Sequence, residues 1–275
     1  SKFYSGKIEI RKIITIGDQN QNERLSSMGG KGMFSTNIEK ELLEDKIDIA
    51  VHALKDMPSV DTIGLTTNCF LKRNSPNEIL ISKNLKFNDL KQGSVIGTSS
   101  FRREYQLRNV RADLVYKLIR GNVDTRIKKL NDGLYDAIIL SYAGIKCLTL
   151  EDNTTEVFST KEIIPSAGQG IIALQCRNND DKIISVLKKI NHNETFMRAH
   201  VERNILKVLE GDCETAVGAH SIIKDDKIIV EAELFSLDGT KRFYEKKTGK
   251  VEDFSQIGRE LGQILKTKSN NSYKR

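Results

Sequence analysis

The stretch IDIAVHALKDMP (residues 47–58) joins an apolar run to an abrupt polar end. The run predicts a strand buried on both faces of a sheet. Lys55 and Asp56 follow where the strand leaves the core, and Pro58 prevents its continuation. Because ligands in open α/β sheets bind just outside the carboxyl ends of strands, this base and this acid are candidates for chemistry. The alternative is a solvated Lys-Asp turn, which is the commoner role of charged loop residues.

The composition is that of a globular protein large enough for two or three domains. The 275 residues are 38% hydrophobic and 29% charged. No apolar run approaches the ~20 residues of a membrane span. The first residues, SKFYSGKIEI, lack the apolar core of a secretory signal and begin without Met, which leaves a trimmed or incomplete N-terminus open. The four widely spaced cysteines contain no C-x-x-C pair, which indicates thiols in a reducing compartment and no metal site.

The positive charge of the chain is concentrated in one region. Residues 100–130 contain nine basic and three acidic side chains, a net +6 against +7 for the whole chain. Many of the basic residues are arginines, whose planar guanidinium suits bidentate contacts with carboxylate or phosphate. The pattern therefore indicates one anion-binding region and not a diffusely basic protein.

Strand and helix patterns alternate from the N-terminus. Residues 8–16 predict a strand, and residues 35–44 predict a helix. Between them, GGKGMF (29–34) is a Gly-rich loop that could hold an anion on its backbone N–H groups. Its spacing does not fit a nucleotide P-loop.

The helix after a predicted strand at 94–98 begins with two cations. Ser99 or Ser100 is a suitable N-cap, and Arg102 and Arg103 fall in the first helical turn. Cations at this end oppose the helix dipole, so we expect an anionic ligand here. A solvated helix start is the alternative.

Two further strand-to-helix turns follow the same plan. The segment LIRGNVDTR (118–126) places Arg120 and Arg126 around a Gly-Asn turn, and a buried strand at 136–140 runs into SYAGIKC (141–147). In a parallel sheet the three turns would share one edge and form a basic cleft for a ligand with several carboxylates.

The last third of the chain has a different pattern. IIPSAGQGIIALQC (163–176) reads as a crossover that returns to a strand, which predicts a discontinuous first domain hinged to the second. Helices at 181–190 and 194–209 follow. Three antiparallel strands and a helix at 254–265 then predict a small α+β domain.

Seven motifs, taken in order, resemble the porphobilinogen deaminase (hydroxymethylbilane synthase) family. They are GGKGMF, DIAVHALKDMP, VIGTSSFRRE, LIRGNVDTR, YDAIIL with AGIK, PSAGQG and LEGDC, and they match in order and spacing from about residue 8 to 265. Any one of them is weak evidence, whereas seven in register are specific.

The resemblance implies an α/β fold with two periplasmic-binding-protein-like domains and a cleft between them. It adds a small C-terminal α+β domain with a three-stranded antiparallel sheet and helices. With the residue patterns, this predicts a discontinuous domain 1 at 1–70 and 171–190 that carries Asp56. Domain 2, with the Arg-rich face, is expected at 76–164, and domain 3, with the cofactor cysteine, at 193–275.

The family's activity implies a transferase of tetrapyrrole and haem biosynthesis. It joins four porphobilinogen molecules head to tail with loss of ammonia and then hydrolyses the product to release hydroxymethylbilane. Its cofactor is dipyrromethane, held by a thioether to one cysteine, which by resemblance is Cys213. Cys213 lies in a polar loop, LEGDCETA, where a thiol can be reached, whereas Cys69 and Cys176 lie in or beside apolar strands.

The reaction needs one carboxylate near the pyrrole nitrogens and the departing amine, to donate a proton and stabilise the developing positive charge. By resemblance that catalytic residue is Asp56. Cationic residues are needed for the acetate and propionate groups that accumulate as the chain grows. Besides Cys213, the resemblance assigns cofactor contacts to Lys31, Lys55, Asp18, Ser100, Arg102, Arg103, Arg120 and Gly144. It assigns substrate contacts to Arg126, Phe34, Gln169 and Ser141.

Three features depart from the family pattern. The chain begins where the family's second strand is expected, so we expect a piece of a longer chain. Cys147 stands where the family has a carboxylate-binding Arg, which removes one anion contact. Asp212 stands where it has the second Gly of EGGC, and its negative charge is expected to make the neighbouring thiol less acidic and slow adduct formation.

Two other classes of function are alternatives. A non-catalytic solute-binding protein of the same two-domain plan would bind a polycarboxylate through the arginines, but would have no use for Asp56 or a reachable Cys213. A nucleic-acid binder is disfavoured by the 6% aromatic content and the lack of a recognised motif. The expected protein is a monomer with a small-molecule substrate and no nucleic-acid or membrane partner. It is expected in the cytoplasm, with a plastid or other organelle as the alternative.

Overall fold

The computed structural model describes residues 4–15, 35–211 and 215–274, whose strands form three sheets. In chain order the strands are β1 (Ala50–Ala53), β2 (Leu65–Phe70), β3 (Glu78–Ser82), β4 (Val95–Gly97), β5 (Val115–Lys117), β6 (Ala137–Ser141), β7 (Glu156–Val157), β8 (Ile172–Arg177), β9 (Val217–Lys224), β10 (Lys227–Phe235) and β11 (Arg242–Lys250). The α-helices are α1 (Thr36–Leu43), α2 (Phe101–Val110), α3 (Val123–Asn131), α4 (Tyr142–Cys147), α5 (Asp181–Ile190), α6 (Asn193–Leu209) and α7 (Phe254–Ser269).

The first sheet has the order β1-β8-β2, and β8 runs antiparallel to both neighbours. The crossover at 163–176 therefore returns to the sheet that carries β1, as the sequence predicts. Leu42 of α1 packs with β1 and β2, and Leu187 of α5 packs with Cys69 and Cys176. Both of these thiols are buried, in agreement with their prediction as apolar-strand residues.

The second sheet has the order β5-β4-β6-β3-β7. Strand β4 is parallel to β5 and β6, whereas β3 is antiparallel to β6 and β7. Apolar clusters on its two faces contain Ile139 and Ile138 respectively, which are adjacent in β6 and point to opposite sides. The carboxyl ends of the three parallel strands share one edge, which confirms the expected meeting of their turns.

The third sheet is the antiparallel meander β9-β10-β11. Helices α6 and α7 pack on it around a core that includes Ile205, Val230 and Leu261, each 0% exposed. Asp225 and Asp226 join β9 to β10 with φ angles of 50° and 54°, the left-handed conformation that a two-residue hairpin turn requires. The predicted C-terminal α+β unit with a three-stranded antiparallel sheet is confirmed.

The prediction of a strand at 8–16 is wrong within the described residues. Residues 8–15 form no strand, and Ile8, Ile10 and Ile14 are 65%, 86% and 67% exposed. β-Branched residues favour a strand only where a neighbouring strand can accept their hydrogen bonds, and none of the described strands pairs with this segment. Residue 16 and the GGKGMF loop lie outside the described residues.

Strand β1 also differs from its prediction. It is four residues long and alternates buried and exposed positions, with Val51 63% exposed, so it is not buried on both faces. The reason is its place at the edge of the first sheet, where β8 is its only partner among the described strands. No helix within the described ranges is long and apolar enough to cross a membrane.

Candidate active site

A cavity of about 430 Å³ lies where the segment after β1 faces the shared edge of the second sheet. Its lining combines three cations with backbone and polar groups: Lys55, Arg103, Gly121, Asn122, Val123, Asp124, Arg126, Leu140, Ser141 and Leu148. Another depression, of about 530 Å³, lies over the β10–β11 turn and contains a single cation, Lys241, near Asp238. The first of these has the lining of an anion site, so we take it as the candidate.

The lining residues come from the turns that the sequence singled out. Arg126 lies in the first turns of α3, after the Arg120-Gly-Asn turn, and Ser141 ends β6. Gly121 has a φ of 112°, and a Cβ there would lie 2.7 Å from Cγ2 of Thr125, so this sharp turn needs glycine.

Lys55 contributes the cation on the side of the first sheet. It lies in a short 3₁₀ turn, Leu54–Asp56, directly after β1. Its Nζ is 3.4 Å from Oγ of Ser141, so the pair bridges the cavity between the two sheets. Burial lowers the pKa of Lys55, and the neighbouring Asp56 partly opposes that shift.

Asp56 lies beside the cavity and is exposed. Its charge acts on both Lys55 and Arg126, and its carboxylate has no hydrogen bond to a described residue. It is not the single carboxylate near the site, because Asp124 of α3 lines the cavity as well. Two carboxylates therefore need to be distinguished by experiment.

Arg103 lines the cavity and has one unpaired donor. Its Nη2 donates to Oε2 of Glu78 at 2.7 Å and its Nη1 donates to the carbonyl of Ile139 at 3.2 Å. The buried Nε has no hydrogen-bond partner among the described residues. Buried polar groups are nearly always hydrogen-bonded, so this N–H indicates a place for an acceptor on a ligand.

Arg102 does not line the cavity. Its guanidinium donates to Oε1 of Glu78 at 2.5 Å and to the carbonyl of Ile164 at 2.9 Å, and it is 5% exposed. Of the adjacent arginines predicted to bind the cofactor, the structure brings only Arg103 to the cavity. Sequence reasoning missed Glu78, whose one signal is an acid at the start of the apolar strand EILIS.

Arg126 is a partly buried cation. Its Nε donates to the carbonyl of Gly121 at 2.7 Å. Burial, followed by repulsion from Arg103 and Arg120, lowers the pKa of Arg126 to about 10, although Asp56 acts in the opposite direction. It stays charged at neutral pH, and a ligand anion would relieve the mutual repulsion of these cations.

The remaining described candidates surround the cavity at different depths. Ser100 caps α2 by accepting from the backbone N–H of Arg103 at 3.4 Å, as one of the two predicted N-caps. Arg120 is 7% exposed and does not line the cavity. Gln169 is bonded to the carbonyl of Pro76 at 2.7 Å, in the connections between the first two sheets.

Gly144 and Cys147 lie in helix α4. A Cβ at Gly144 would lie 3.1 Å from Oγ of Ser141, so glycine keeps this helix close to the cavity wall. Cys147 is an exposed free thiol that precedes Leu148 of the lining. Asp18, Lys31, Phe34, Asp212 and Cys213 lie outside the described residues. Within the described part of the chain, no group of acidic, His and Cys side chains could hold a metal ion.

The fold and site define a class of protein: two α/β sheets enclosing a cationic cavity, with an α+β unit attached. The family model "Porphobilinogen deaminase, dipyromethane cofactor binding domain" matches residues 2–185, and the model "Porphobilinogen deaminase, C-terminal domain" matches residues 196–267. Together they cover most of the chain. This chain belongs to the porphobilinogen deaminase family.

Several relatives carry the same family name. The chain is 39% identical over 265 residues to the porphobilinogen deaminase of Geobacter sulfurreducens, covering 96% of this chain and 83% of that protein. It is 40% identical over 261 residues to that of Lysinibacillus sphaericus, covering 94% and 84%.

Solved structures give a more distant likeness. A periplasmic sulfonate-binding protein from Methylobacillus flagellatus is 18% identical, covers 62% of this chain and 54% of that one, and has a TM-score of 0.36. A periplasmic binding protein of an arginine transport system from Legionella pneumophila is 14% identical, covers 56% and 69%, and has a TM-score of 0.31. Scores this low add nothing to the family assignment.

Proposed function

We propose that this chain is a porphobilinogen deaminase, a transferase that joins four porphobilinogen molecules head to tail with release of ammonia. It then hydrolyses the linear product to release hydroxymethylbilane. The observation that carries the proposal is the cationic cavity at the Lys-Asp turn, where the buried Nε of Arg103 has no partner among the described residues. A substrate with one acetate and one propionate per pyrrole supplies the anions that this lining needs.

The dipyrromethane cofactor fits the same lining. Its two pyrroles carry carboxylates, and the cavity offers Lys55, Arg103 and Arg126 together with the hydroxyl of Ser141. Helix α6 ends at Leu209, four residues before Cys213 in the sequence, and Cys213 would hold the cofactor through its thioether. When bound, the cofactor supplies a pyrrole α-carbon as the nucleophile on which the product chain is built.

Asp56 is the proposed catalytic acid. The substrate must lose ammonia from its aminomethyl group, which requires a proton on the departing nitrogen and leaves positive charge on the pyrrole. An exposed carboxyl group beside the cavity can give that proton when it is protonated and, once ionised, can stabilise the cation that remains. Lys55 and Arg126 supply the positive charges that would bind the carboxylates of the rings.

The assignment of the remaining residues is also part of the proposal. Contacts with the cofactor are proposed for Lys31, Asp18, Ser100, Arg102, Arg103, Arg120 and Gly144 besides Lys55 and Cys213. Contacts with the substrate are proposed for Arg126, Phe34, Gln169 and Ser141. For Arg102 the contact would be indirect in the described arrangement, because Glu78 and Ile164 occupy its guanidinium.

We further propose that the three sheets mark three domains, at 1–70 with 171–190, at 76–164 and at 193–275. The proposed enzyme is a monomer of the cytoplasm, with an organelle as the alternative, and it has no nucleic-acid partner. A solute-binding role is not favoured, because the matched family models cover both the cofactor-binding and C-terminal regions.

The test compares Asp56→Asn with Asp124→Asn, the same change at the other carboxylate near the site. Turnover is measured as ammonia release and as porphyrinogen formed from porphobilinogen. We expect Asp56→Asn to lower kcat by about a hundredfold or more, in the range of general acid catalysis, while the cofactor mass stays on the protein. Asp124→Asn should cause a smaller loss.

Near-normal porphyrinogen formation by Asp56→Asn would remove Asp56 from this role. A larger loss in Asp124→Asn would transfer the role to that carboxylate. No ammonia release by the unaltered protein carrying its cofactor would contradict the proposed function itself.

A further inference from the structure

One guanidinium fastens the segment that follows Asp56 to helix α6. Arg203, in the second half of α6, donates from Nη2 to the carbonyl oxygens of Pro58 at 2.9 Å and Ser59 at 3.3 Å, and reaches Oδ1 of Asp61 at 3.4 Å. Its side chain is 6% exposed. Burial lowers the pKa of Arg203, and the negative charge of Asp61 partly opposes that shift. The fold therefore keeps a cation buried at this position, where it makes these hydrogen bonds.

The same region of α6 supports the Lys-Asp turn by apolar packing. Ala199 lies four residues before Arg203 and therefore on the same face of the helix. It shares an apolar cluster with Leu54 and Met57, the two residues that flank the Lys-Asp pair. Leu54 is 2% exposed and Met57 is 7% exposed, so the turn is anchored on both sides.

The direction of the Asp56 side chain depends on this anchoring. The carboxylate has no hydrogen bond to a described residue, so the backbone of the turn sets where it points. That backbone is held by the N–H of Met57, which donates to the carbonyl of Leu54 at 3.2 Å, and by the bond from Arg203 to Pro58. Among the described residues of α6, Arg203 is the buried polar side chain with hydrogen bonds to this segment.

Helix α6 also leads to the proposed cofactor cysteine. Arg203 precedes Cys213 by ten residues, and the last helical residue, Leu209, precedes it by four. The helix that holds the turn after Asp56 therefore precedes the proposed cofactor cysteine in the sequence.

We propose that Arg203 is a positioning residue that fixes the Asp56 turn relative to the helix carrying the cofactor segment. The inference rests on the proposed function, because it gives Arg203 a part in that reaction. Arg203 acts through the Pro58 carbonyl and the backbone, and it contacts no reacting group. Without it the turn can shift against α6, and a displacement of about 1 Å at a catalytic group costs about a hundredfold in rate.

The test uses two changes at Arg203 and a matched change on the same helix. Arg203→Met keeps the length of the side chain but removes its donors, and Arg203→Lys keeps one charged donor for the Pro58 carbonyl. Arg198→Met is the control, because Arg198 is also a mostly buried arginine of α6, with its side chain 14% exposed. Its ion pair is with Glu194, at 3.2 Å, and it has no hydrogen bond to the described residues of the turn.

In Arg203→Met we expect kcat to fall by about tenfold to a hundredfold, as for a misplaced catalytic group. KM for porphobilinogen should change by less than about threefold, because the cations of the cavity are untouched. The cofactor mass on Cys213 should remain, and Arg203→Lys should recover most of kcat. A kcat for Arg203→Met equal to that of Arg198→Met would overturn the proposal.

A measurement without substrate separates this inference from the proposed function. Hydrogen–deuterium exchange of a peptide covering residues 54–63 should be at least about fivefold faster in Arg203→Met than in the unaltered protein or in Arg198→Met. Unchanged exchange in this peptide would overturn the positioning role even if activity were lost. Absence of turnover in the unaltered protein would count against the proposed function alone.

Discussion

At the scale of single residues, one buried carboxylate organises the cationic wall of the cavity. Glu78 is 0% exposed and accepts from Arg102 at 2.5 Å and from Arg103 at 2.7 Å. Burial alone would raise the pKa of Glu78, but the attraction of Arg103 and then of Arg102 outweighs it and lowers that pKa to about 2. This anion allows two adjacent buried cations in the core, one of which, Arg103, lines the cavity.

Glu78→Gln tests this role through stability. The change leaves two buried guanidiniums with a neutral partner, so the free energy of unfolding at pH 7 should fall by about 3 to 5 kcal/mol, as for other broken buried ion pairs. Urea unfolding followed by circular dichroism measures it. Asp113→Asn, which breaks the more exposed pair with Arg111, is the control and should have a small effect.

The unaltered protein and Glu78→Gln should also differ in how their stability depends on pH. Because the pKa of Glu78 is lowered from 4.5 to about 2 in the fold, its stabilisation is fully present above pH 4.5 and is lost as the pH falls through about 2. The difference in stability between the unaltered protein and Glu78→Gln should therefore shrink between pH 4.5 and pH 2. A difference that is independent of pH would show that Glu78 is not an ionised partner of the arginines.

At the scale of elements, the Lys-Asp turn depends on close packing against residues 158–171, the second connection between the first two sheets. Gly168 has a φ of 74°, and a Cβ there would lie 2.7 Å from Cγ of Leu54. Its N–H donates to Oε2 of Glu202 in α6 at 2.8 Å. The turn with the catalytic candidate thus packs on Gly168. This position requires glycine, because its φ is positive and there is no room for a side chain.

Gly168→Ala tests this contact, with Gly133→Ala as its matched control. Both glycines have a positive φ, 74° and 79°, but a Cβ at Gly133 would meet nothing within 4 Å. Each change should cost about 1 to 2 kcal/mol of stability from the backbone conformation. Gly168→Ala should cost about 1 to 3 kcal/mol more, because the new methyl displaces Leu54.

Thermal unfolding and kcat separate the two glycine variants. A displaced Leu54 moves the adjoining Lys-Asp turn, so kcat should fall in Gly168→Ala and stay near normal in Gly133→Ala. Equal stability and equal kcat in both variants would mean that the packing of Leu54 on Gly168 does not hold the turn.

Elements with a strong local pattern could be predicted from the sequence. The antiparallel strands β9 to β11, helices α5 to α7 and the shared edge of β4, β5 and β6 all follow from periodicity and turn residues. The edge position of β1 could not be predicted, because exposure of Val51 depends on which strands pair with it. The absence of a strand at residues 8–15 could not be predicted either, because their apolar alternation lacks a pairing partner among the described strands.

The site was predictable in its chemistry more than in its geometry. Arg103 and Arg126 meet at the cavity because their turns lie at one edge of the second sheet, and Lys55 reaches it from the first sheet. Arg102 donates instead to Glu78 and to the carbonyl of Ile164, which are 24 and 62 residues away in the sequence and are brought close only by the fold. Periodicity carries no information about such a pair.

At the scale of the whole molecule, helix α6 connects the three sheets. Glu202 of α6 accepts hydrogen bonds from Arg73 at 2.6 Å, from the N–H of Gly168 at 2.8 Å and from the N–H of Ser221 at 2.8 Å. Arg73 and Gly168 lie in the two connections between the first and second sheets, and Ser221 lies in β9. One buried carboxylate therefore joins both connections to β9.

The most direct test of the central claim is the intact mass of the denatured protein, purified from a host that makes porphobilinogen, followed by peptide mapping. The account predicts one covalent dipyrromethane on the peptide with Cys213. Cys147, an exposed thiol, is the internal control and should be unmodified. A bare thiol at Cys213, or the adduct on Cys147 instead, would contradict the account.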